Sequence, residues 1–380
     1  MSAPYDLIIV GGGLAGWALA QALPEGLFER VALVDAPHPM RASGAPGALL
    51  HALPGRSLDP DPLTMRAFAH ASAWAEDLLG QDPALVRRHT MLRPLWPGKP
   101  GRRFVNTYTR GHPKYPACMD HAHLDAAALA ALHPTLALFE GAIAYGPAYM
   151  IRLPQVLEHI AGRSPHIQRM RGHVRALHPG DEHWEVDTSD ARLRAHRVAL
   201  CAGAGLGRWF PNLGVEVNAG ELLVCPAPPG GFDGAISGGG HIAQDSLNQW
   251  VLGATYLRPT GPPELDASWT RPDYIAHEEL TQLLGRLVPA VAHARGTIWR
   301  GQRAVRHPSR SPVCGGIPDQ PGLFVMGALG SKGLLWSSWL AAQLAAHMAG
   351  SPTPHLDSSP LHPHHSDFGP DSWLLEHTPS

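Results

Sequence analysis

Gly11, Gly13 and Gly16 follow the apolar run Tyr5–Val10 and open the segment Leu14–Leu23. A short apolar run ending in glycines reads as a buried parallel strand, and the segment after it as a helix. Arg30–Asp35 (RVALVD) supplies the next strand. Strand, G-x-G-x-x-G turn, helix and strand are the parts of a dinucleotide-binding βαβ unit, and each glycine has a steric task in it. Gly11 allows the tight turn, a side chain at Gly13 would hold off a pyrophosphate, and Gly16 lets helix and strand pack closely. Free N–H groups in the first helical turn, at Leu14 and Ala15, suit an anion. Asp35 closes the second strand, where a carboxylate can hold ribose hydroxyls.

The chain has 380 residues, against roughly 150 per domain, which predicts two domains or one with a large insertion. Pro62–Leu79, Tyr149–Ile160, Tyr274–Leu287 and Leu334–Met348 read as helices, and Arg171–His178, Trp184–Thr188, His196–Cys201 and Leu323–Met326 as strands. Arg93–Asp120 reads as irregular, and a strand-rich stretch runs from Glu216 to about Leu257. The expected fold is α/β: a discontinuous Rossmann-like FAD-binding domain (1–90, 141–215, 296–350) and a strand-rich α+β substrate domain (91–140, 216–295), with a flexible tail over 351–380. FAD is favoured over a nicotinamide because a second strand, Gly-loop and helix close the fold near the C-terminus. One long cofactor can run between the two glycine turns. Ser43, Gly44 and Gly47 form a small-residue loop that can line it. Ala202 and Gly203, in Val198–Gly205 (VALCAGAG), allow backbone packing on a flat ring.

Five stretches carry a family resemblance: IIVGGGLAG with Asp35, RASGAPGAL, RVALCAGAG, WRGQRAVRHPSRSPVCGGIP and GLFVMGALGSKG. Together they resemble the D-amino-acid oxidase superfamily of FAD-dependent amine oxidases, which includes glycine and sarcosine oxidases. ASGAPGALLH, VLGATY and GALGSKGL further resemble the FAD oxidase module of bifunctional bacterial tRNA wobble-uridine modification proteins. The resemblance implies non-covalent FAD, with the loop Gly330–Gly333 under the flavin pyrimidine ring and Arg303 gripping a substrate carboxylate. Val174 is added to the expected cofactor contacts. Where the family has an acid before a proline, this chain reads Ser309-Arg310-Ser311-Pro312.

Three side chains are expected to take part in catalysis. On a strand through Trp299–Val305, Arg303 shares a face with Trp299 and Gly301, while Arg300 and Arg306 face the other way. Tyr256 can hold its hydroxyl over the substrate or rest at a sheet rim. Lys332 can stabilise charge on the reduced flavin, with the N–H groups of Ser331, Lys332 and Gly333 on the pyrimidine edge, or be a solvated loop charge. His51 reads as a packing residue near the flavin face.

These features imply an enzyme that oxidises the C–N bond of a small amino acid or secondary amine by hydride transfer to flavin N5, with oxygen or another acceptor reoxidising the flavin. Two alternatives stay open: oxidative removal of a carboxymethyl group from a tRNA wobble uridine, and a partner-dependent or non-catalytic flavoprotein. A net charge of −2 supplies no global basic field for nucleic acid, so a nucleic-acid partner is not expected, and any RNA site must be a local patch. The four cysteines, Cys118, Cys201, Cys225 and Cys314, form no C-x-x-C and fit a reduced cytoplasmic compartment. Cys314 is expected to be a buried free thiol. No apolar run is long enough to span a membrane. Asp120, His121, His123 and Asp125 (DHAHLD) match no standard zinc spacing, so no metal is expected. His362, His364 and His365 could bind metal only adventitiously.

Overall fold

The run YDLIIV becomes β1 (Tyr5–Val10), and Leu7, Ile8 and Ile9 are fully buried in it. That burial on both faces is what a continuous apolar run requires of a central parallel strand. The computed structural model describes residues 3–54, 61–111, 119–228, 232–258, 271–317 and 319–351. Strands are numbered along the chain. In the first sheet β1 lies between β2 (Val31–Asp35) and β10 (Arg192–Leu200), all parallel. β7 (Ile167–Arg171) extends it beyond β2, and β17 (Leu323–Gly327) beyond β10, again in parallel. β16 (Val313–Gly316) closes one edge antiparallel, and β8 (Val174–Pro179) and β9 (Trp184–Thr188) form a hairpin on β10. The chain winds outward through β2 and β7 on one side of β1 and returns as β10 on the other. This leaves a topological switch point between β1 and β10, at whose carboxyl ends a crevice opens.

The second sheet has the order β15-β11-β14-β13-β12-β4-β6-β3. Its strands are β3 (Ala48–Leu50), β4 (Val86–Pro94), β5 (Asp120–Asp125, paired to β6), β6 (Gly141–Ile151), β11 (Val215–Pro226), β12 (Ala235–Ser237), β13 (His241–Gln244), β14 (Gln249–Gly253) and β15 (Thr297–Arg306). β3, β6 and β15, which fall in the expected nucleotide-binding segments, belong to this sheet. α1 (Leu14–Ala22) and α2 (Pro62–Gln81) both pack on the final long helix, α8 (Gly333–Met348), which buries Trp336, Trp339, Leu340 and Leu344. Asp61 caps α2, accepting from Thr64 N–H at 2.9 Å, and Pro62 sits at its first position.

Several expected boundaries move. Tyr149–Ile160 is not one helix: Tyr149–Ile151 completes β6, and α5 (Leu153–Gly162) starts at the next turn, with Pro154 in its first turn. A proline fits that place and not a helix interior. Arg171–His178 is split between β7 and β8, the Gly172 N–H donating to Asp35 O. Arg93–Asp120 is not irregular throughout, since α3 (Lys99–Gly111) lies within it. DHAHLD forms β5, and the Asp125 carboxylate caps α4 (Ala126–Leu132) through Ala128 N–H at 2.8 Å. Among the described residues, no three His, Cys, Asp or Glu side chains gather as metal ligands, and no helix is long and apolar enough to cross a membrane. Cys201, Cys225 and Cys314 are free and buried, and burial pushes the Cys201 and Cys225 thiols up to about 12 and about 11 and raises that of Cys314. Cys118 and the tail histidines lie outside the described residues.

Candidate active site

A cavity of about 450 Å³ runs from the β1–β10 crevice to the face of the second sheet. Its first end is the glycine turn. An added Cβ at Gly11 (φ +109°) would come 2.4 Å from the Cys201 carbonyl oxygen, and one at Gly16 would come 1.9 Å from the Gly11 oxygen. Gly11 thus keeps the turn against the end of β10, and Gly16 keeps helix and strand in contact, as the fingerprint requires. Gly13 differs, because its Cβ would meet only Ser43, at 3.1 Å from Oγ, and would otherwise project into the cavity. The Asp35 carboxylate accepts from Gly12 N–H at 2.8 Å and pairs with Arg41 at 3.1 Å, which leaves lone pairs for ribose hydroxyls. Leu14 N–H, expected to be free, donates to Ser43 Oγ at 2.9 Å, so a phosphate oxygen there would replace or share that hydroxyl.

The other turn follows β17. Ala328 (φ 53°) and Gly330 (φ 57°) both take left-handed backbone, aiming the loop at the cavity before α8 begins. Gly330, Ser331, Lys332 and Gly333 all line it. Lys332 N–H donates to Leu329 O at 3.1 Å inside the turn, so an acceptor on a flavin edge there would have to share that N–H. The Lys332 side chain is half-buried against the cavity.

The far end belongs to the second sheet. Strand alternation on β15 turns Trp299, Gly301 and Arg303 to the cavity. Arg300 faces away, pairing with Asp273 at 2.7 Å and Glu221 at 3.3 Å. Glu221 is fully buried and also takes Arg271 and the Thr255 hydroxyl. Arg303 has no carboxylate partner among the described residues. Its Nη2 donates to Thr255 O at 3.3 Å, its Nε is buried without a partner, and its guanidinium lies 5.2 Å from the Tyr256 ring centroid. Gly220 makes the room, since a Cβ there would come 2.6 Å from Nη2. Burial pulls the Arg303 pKa down, the desolvation of a cation that lacks a counter-charge.

Two histidines complete this end. Burial, and then Arg303, lower His241 to about 4, and its Nε2 has no partner among the described residues. Burial, then Arg93 and His241, lower His51 to about 3, and the Tyr145 hydroxyl meets its Nδ1 at 3.1 Å. Both are neutral at pH 7. Sequence reasoning did not single out His241, although the glycine run Gly238–Gly240 before it marks a close backbone approach.

Of the expected site residues, Gly11, Gly13, Leu14, Ala15, Asp35, Ser43, Gly47, Ala202, Gly203, Gly330–Gly333 and Arg303 line this one cavity. Gly16 packs behind it and Gly44 stands beside Trp299. Val174 rests half-buried on the second core cluster, away from the lining. Tyr256 is 45% exposed and reaches the site only through Arg303.

A twisted parallel sheet with a glycine cradle at its switch point, opening onto a second sheet's face, defines a dinucleotide-binding oxidoreductase. The FAD dependent oxidoreductase family matches residues 6–348, and the chain belongs to that family. It is an FAD-dependent enzyme, and its cradle fits that cofactor: the Gly13 gap and the switch-point crevice leave room for a dinucleotide, and the cavity reaches on to a second glycine turn. The chain is 28% identical to a tRNA 5-methylaminomethyl-2-thiouridine biosynthesis bifunctional protein from a Caulobacter species, over 92% of this chain and 55% of the relative. It thus spans about half the length of the curated relatives it matches. Similar solved folds are glycine oxidase from Geobacillus kaustophilus (TM-score 0.80, 21% identity, 93% of this chain and 96% of that one) and iminodiacetate oxidase from Chelativorans sp. (TM-score 0.77, 22% identity, 94% and 99%).

Proposed function

We propose that the chain oxidises the C–N bond of an amine whose neighbouring carbon bears a carboxylate, a glycine-type or N-carboxymethyl amine. One observation carries this reading: Arg303 is a half-buried fork in the cavity, its Nε buried, with no carboxylate partner among the described residues. A cation without a counter-ion in such a place is costly unless a ligand supplies the anion. A carboxylate accepting two of its N–H groups would be both held and oriented. The neutral His241 Nε2 is then placed to take a hydrogen bond from the substrate nitrogen and to favour the free amine over the ammonium. Bound FAD supplies the hydride acceptor. The amine loses a hydride and a proton to give an imine, and water then splits that into a carbonyl compound and the shortened amine. Lys332, at the opposite turn, contributes positive charge near the flavin. Gly11–Ala15, Asp35 and Ser43 hold the dinucleotide end.

The relatives' names favour a second form of the same chemistry, in which the amine is borne on tRNA and a carboxymethyl group is removed. The match over 92% of this chain supports it. An anaerobic screen tests both readings. Glycine, sarcosine and iminodiacetate should bleach the flavin, while methylamine and dimethylamine should not. Equal bleaching by the amines lacking a carboxylate would remove the role given to Arg303. Bleaching by tRNA carrying the carboxymethylaminomethyl base selects the second form.

A further inference from the structure

One stretch of the chain is more basic than any other. Between Pro83 and Met119 stand eight Lys or Arg and no Asp or Glu, so the remaining residues carry ten net negative charges to reach −2. The helix α3 lies in the middle of this stretch and has two distinct faces. Phe104 and Val105 pack on the core, and Tyr108 is buried with its hydroxyl 2.9 Å from His121 Nδ1. Arg102, Arg103, Asn106, Thr109 and Arg110 are exposed. The nearby Arg87 and Arg88 are answered by Asp233 at 2.8 Å and Glu76 at 3.4 Å. No carboxylate pairs with Arg102, Arg103 or Arg110 among the described residues.

The place of α3 matters as much as its charge. The Phe104 ring lies 5.2 Å from the Arg93 guanidinium, and Arg93 Nη1 donates to Leu53 O at 3.3 Å. Leu53 is two residues from His51, so α3 flanks the Arg303–His241 end of the cavity and not the nucleotide end. We infer that the outward face of α3 is a docking surface for the phosphodiester backbone of a folded RNA, which delivers a base-borne amine to that end. This rests on the RNA-borne form of the substrate proposed above. Arginine forks with amide and hydroxyl side chains are the usual phosphate contacts, and they position without reading bases. The face exposes no aromatic ring on which single-stranded bases would stack. Nor does it carry the Trp, Phe or Leu that a membrane-lying helix sets beside its cations.

The test uses the FAD-loaded protein and labelled bulk bacterial tRNA. Arg102→Gln/Arg103→Gln/Arg110→Gln should bind more weakly, with a log–log salt slope smaller by about 2 to 3. Three phosphate contacts predict a wild-type loss between about 50 and 200 mM salt that is roughly twenty- to fortyfold larger than the variant's. Flavin bleaching by the small amine should stay at the wild-type rate, which shows that the variant is folded, and the triple lysine variant should keep the slope. tRNA binding with an unchanged slope in the glutamine variant overturns the docking surface and leaves the RNA-borne reading standing. No tRNA binding by the wild type overturns both, as would capture by anionic vesicles alone.

Discussion

Gly13→Ala separates holding the fold from holding the cofactor. The Gly13 backbone, at φ −81° and ψ −171°, is extended conformation open to alanine. The new methyl would touch only Ser43, whose hydroxyl needs to give by a few tenths of an ångström. The apo-protein should therefore unfold within about 0.5 kcal/mol of wild type. The same methyl stands in the cradle beside the Leu14 and Ala15 amides. Forcing a close-packed ligand around one extra methyl costs about 1–3 kcal/mol, and at 1.4 kcal/mol per factor of ten this weakens FAD binding roughly five- to hundredfold. Gly16→Ala is the contrast, since its Cβ would overlap the Gly11 oxygen at 1.9 Å; it should lower the melting temperature of the apo-protein itself. Stripped protein titrated with FAD, followed by quenching of flavin fluorescence, gives the affinity, and thermal unfolding without FAD gives the fold. Wild-type FAD affinity in Gly13→Ala would refute the placement of the dinucleotide.

Arg303→Gln removes a charge-assisted contact worth about 1.5–3 kcal/mol, so kcat/KM for a carboxylate-bearing amine should fall roughly ten- to hundredfold while FAD still binds; an equal loss for amines without a carboxylate would count against the assignment. His51 and His241 titrate near 6.5 when unfolded but at about 3 and about 4 when folded. The unfolded chain thus binds protons first as pH falls, and stability is full above pH 6.5 and drops toward pH 4 by up to about 1.4 kcal/mol per unit per histidine. His241→Asn should make that decline shallower in melts run from pH 7 to 5, and an unchanged decline would show that His241 is not the buried neutral group. Glu221→Gln leaves Arg271 and Arg300 facing a neutral amide, while Glu279 and Asp273 still pair with them, a loss of about 1.5–3 kcal/mol, read as a lower denaturation midpoint with the flavin spectrum retained.

The nucleotide end was legible in the sequence because its rules are local. A turn that needs Gly11, a helix start that needs Gly16 and a strand end that needs Asp35 lie within one short segment, and each residue answers to its neighbours. Strand alternation separates Arg303 from Arg300 and Arg306, but which of the two faces meets the cavity came only from the family resemblance. The meeting of His51, His241 and Arg303 was not legible: it joins the end of β3 to β13 and β15, and no spacing in the chain encodes a contact made by sheet order. α3 was missed because Pro97, Gly98, Pro100 and Gly101 crowd its start and hide a two-faced pattern that emerges only from Phe104 onward. Tyr149–Ile160 was misjudged because β6 ends and α5 begins without an intervening loop.

The two ends of the cavity are furnished by different sheets. Strand ends of the first sheet, and the turns and helix start that follow them, supply Gly11–Ala15, Asp35 and Ala202–Gly203, whereas Gly220, His241 and Arg303 belong to the second. Exchanging residues on the second set can thus redirect such a scaffold to a new amine while its grip on the flavin dinucleotide is inherited intact. A lineage built this way can diversify its chemistry of recognition quickly and its redox chemistry hardly at all.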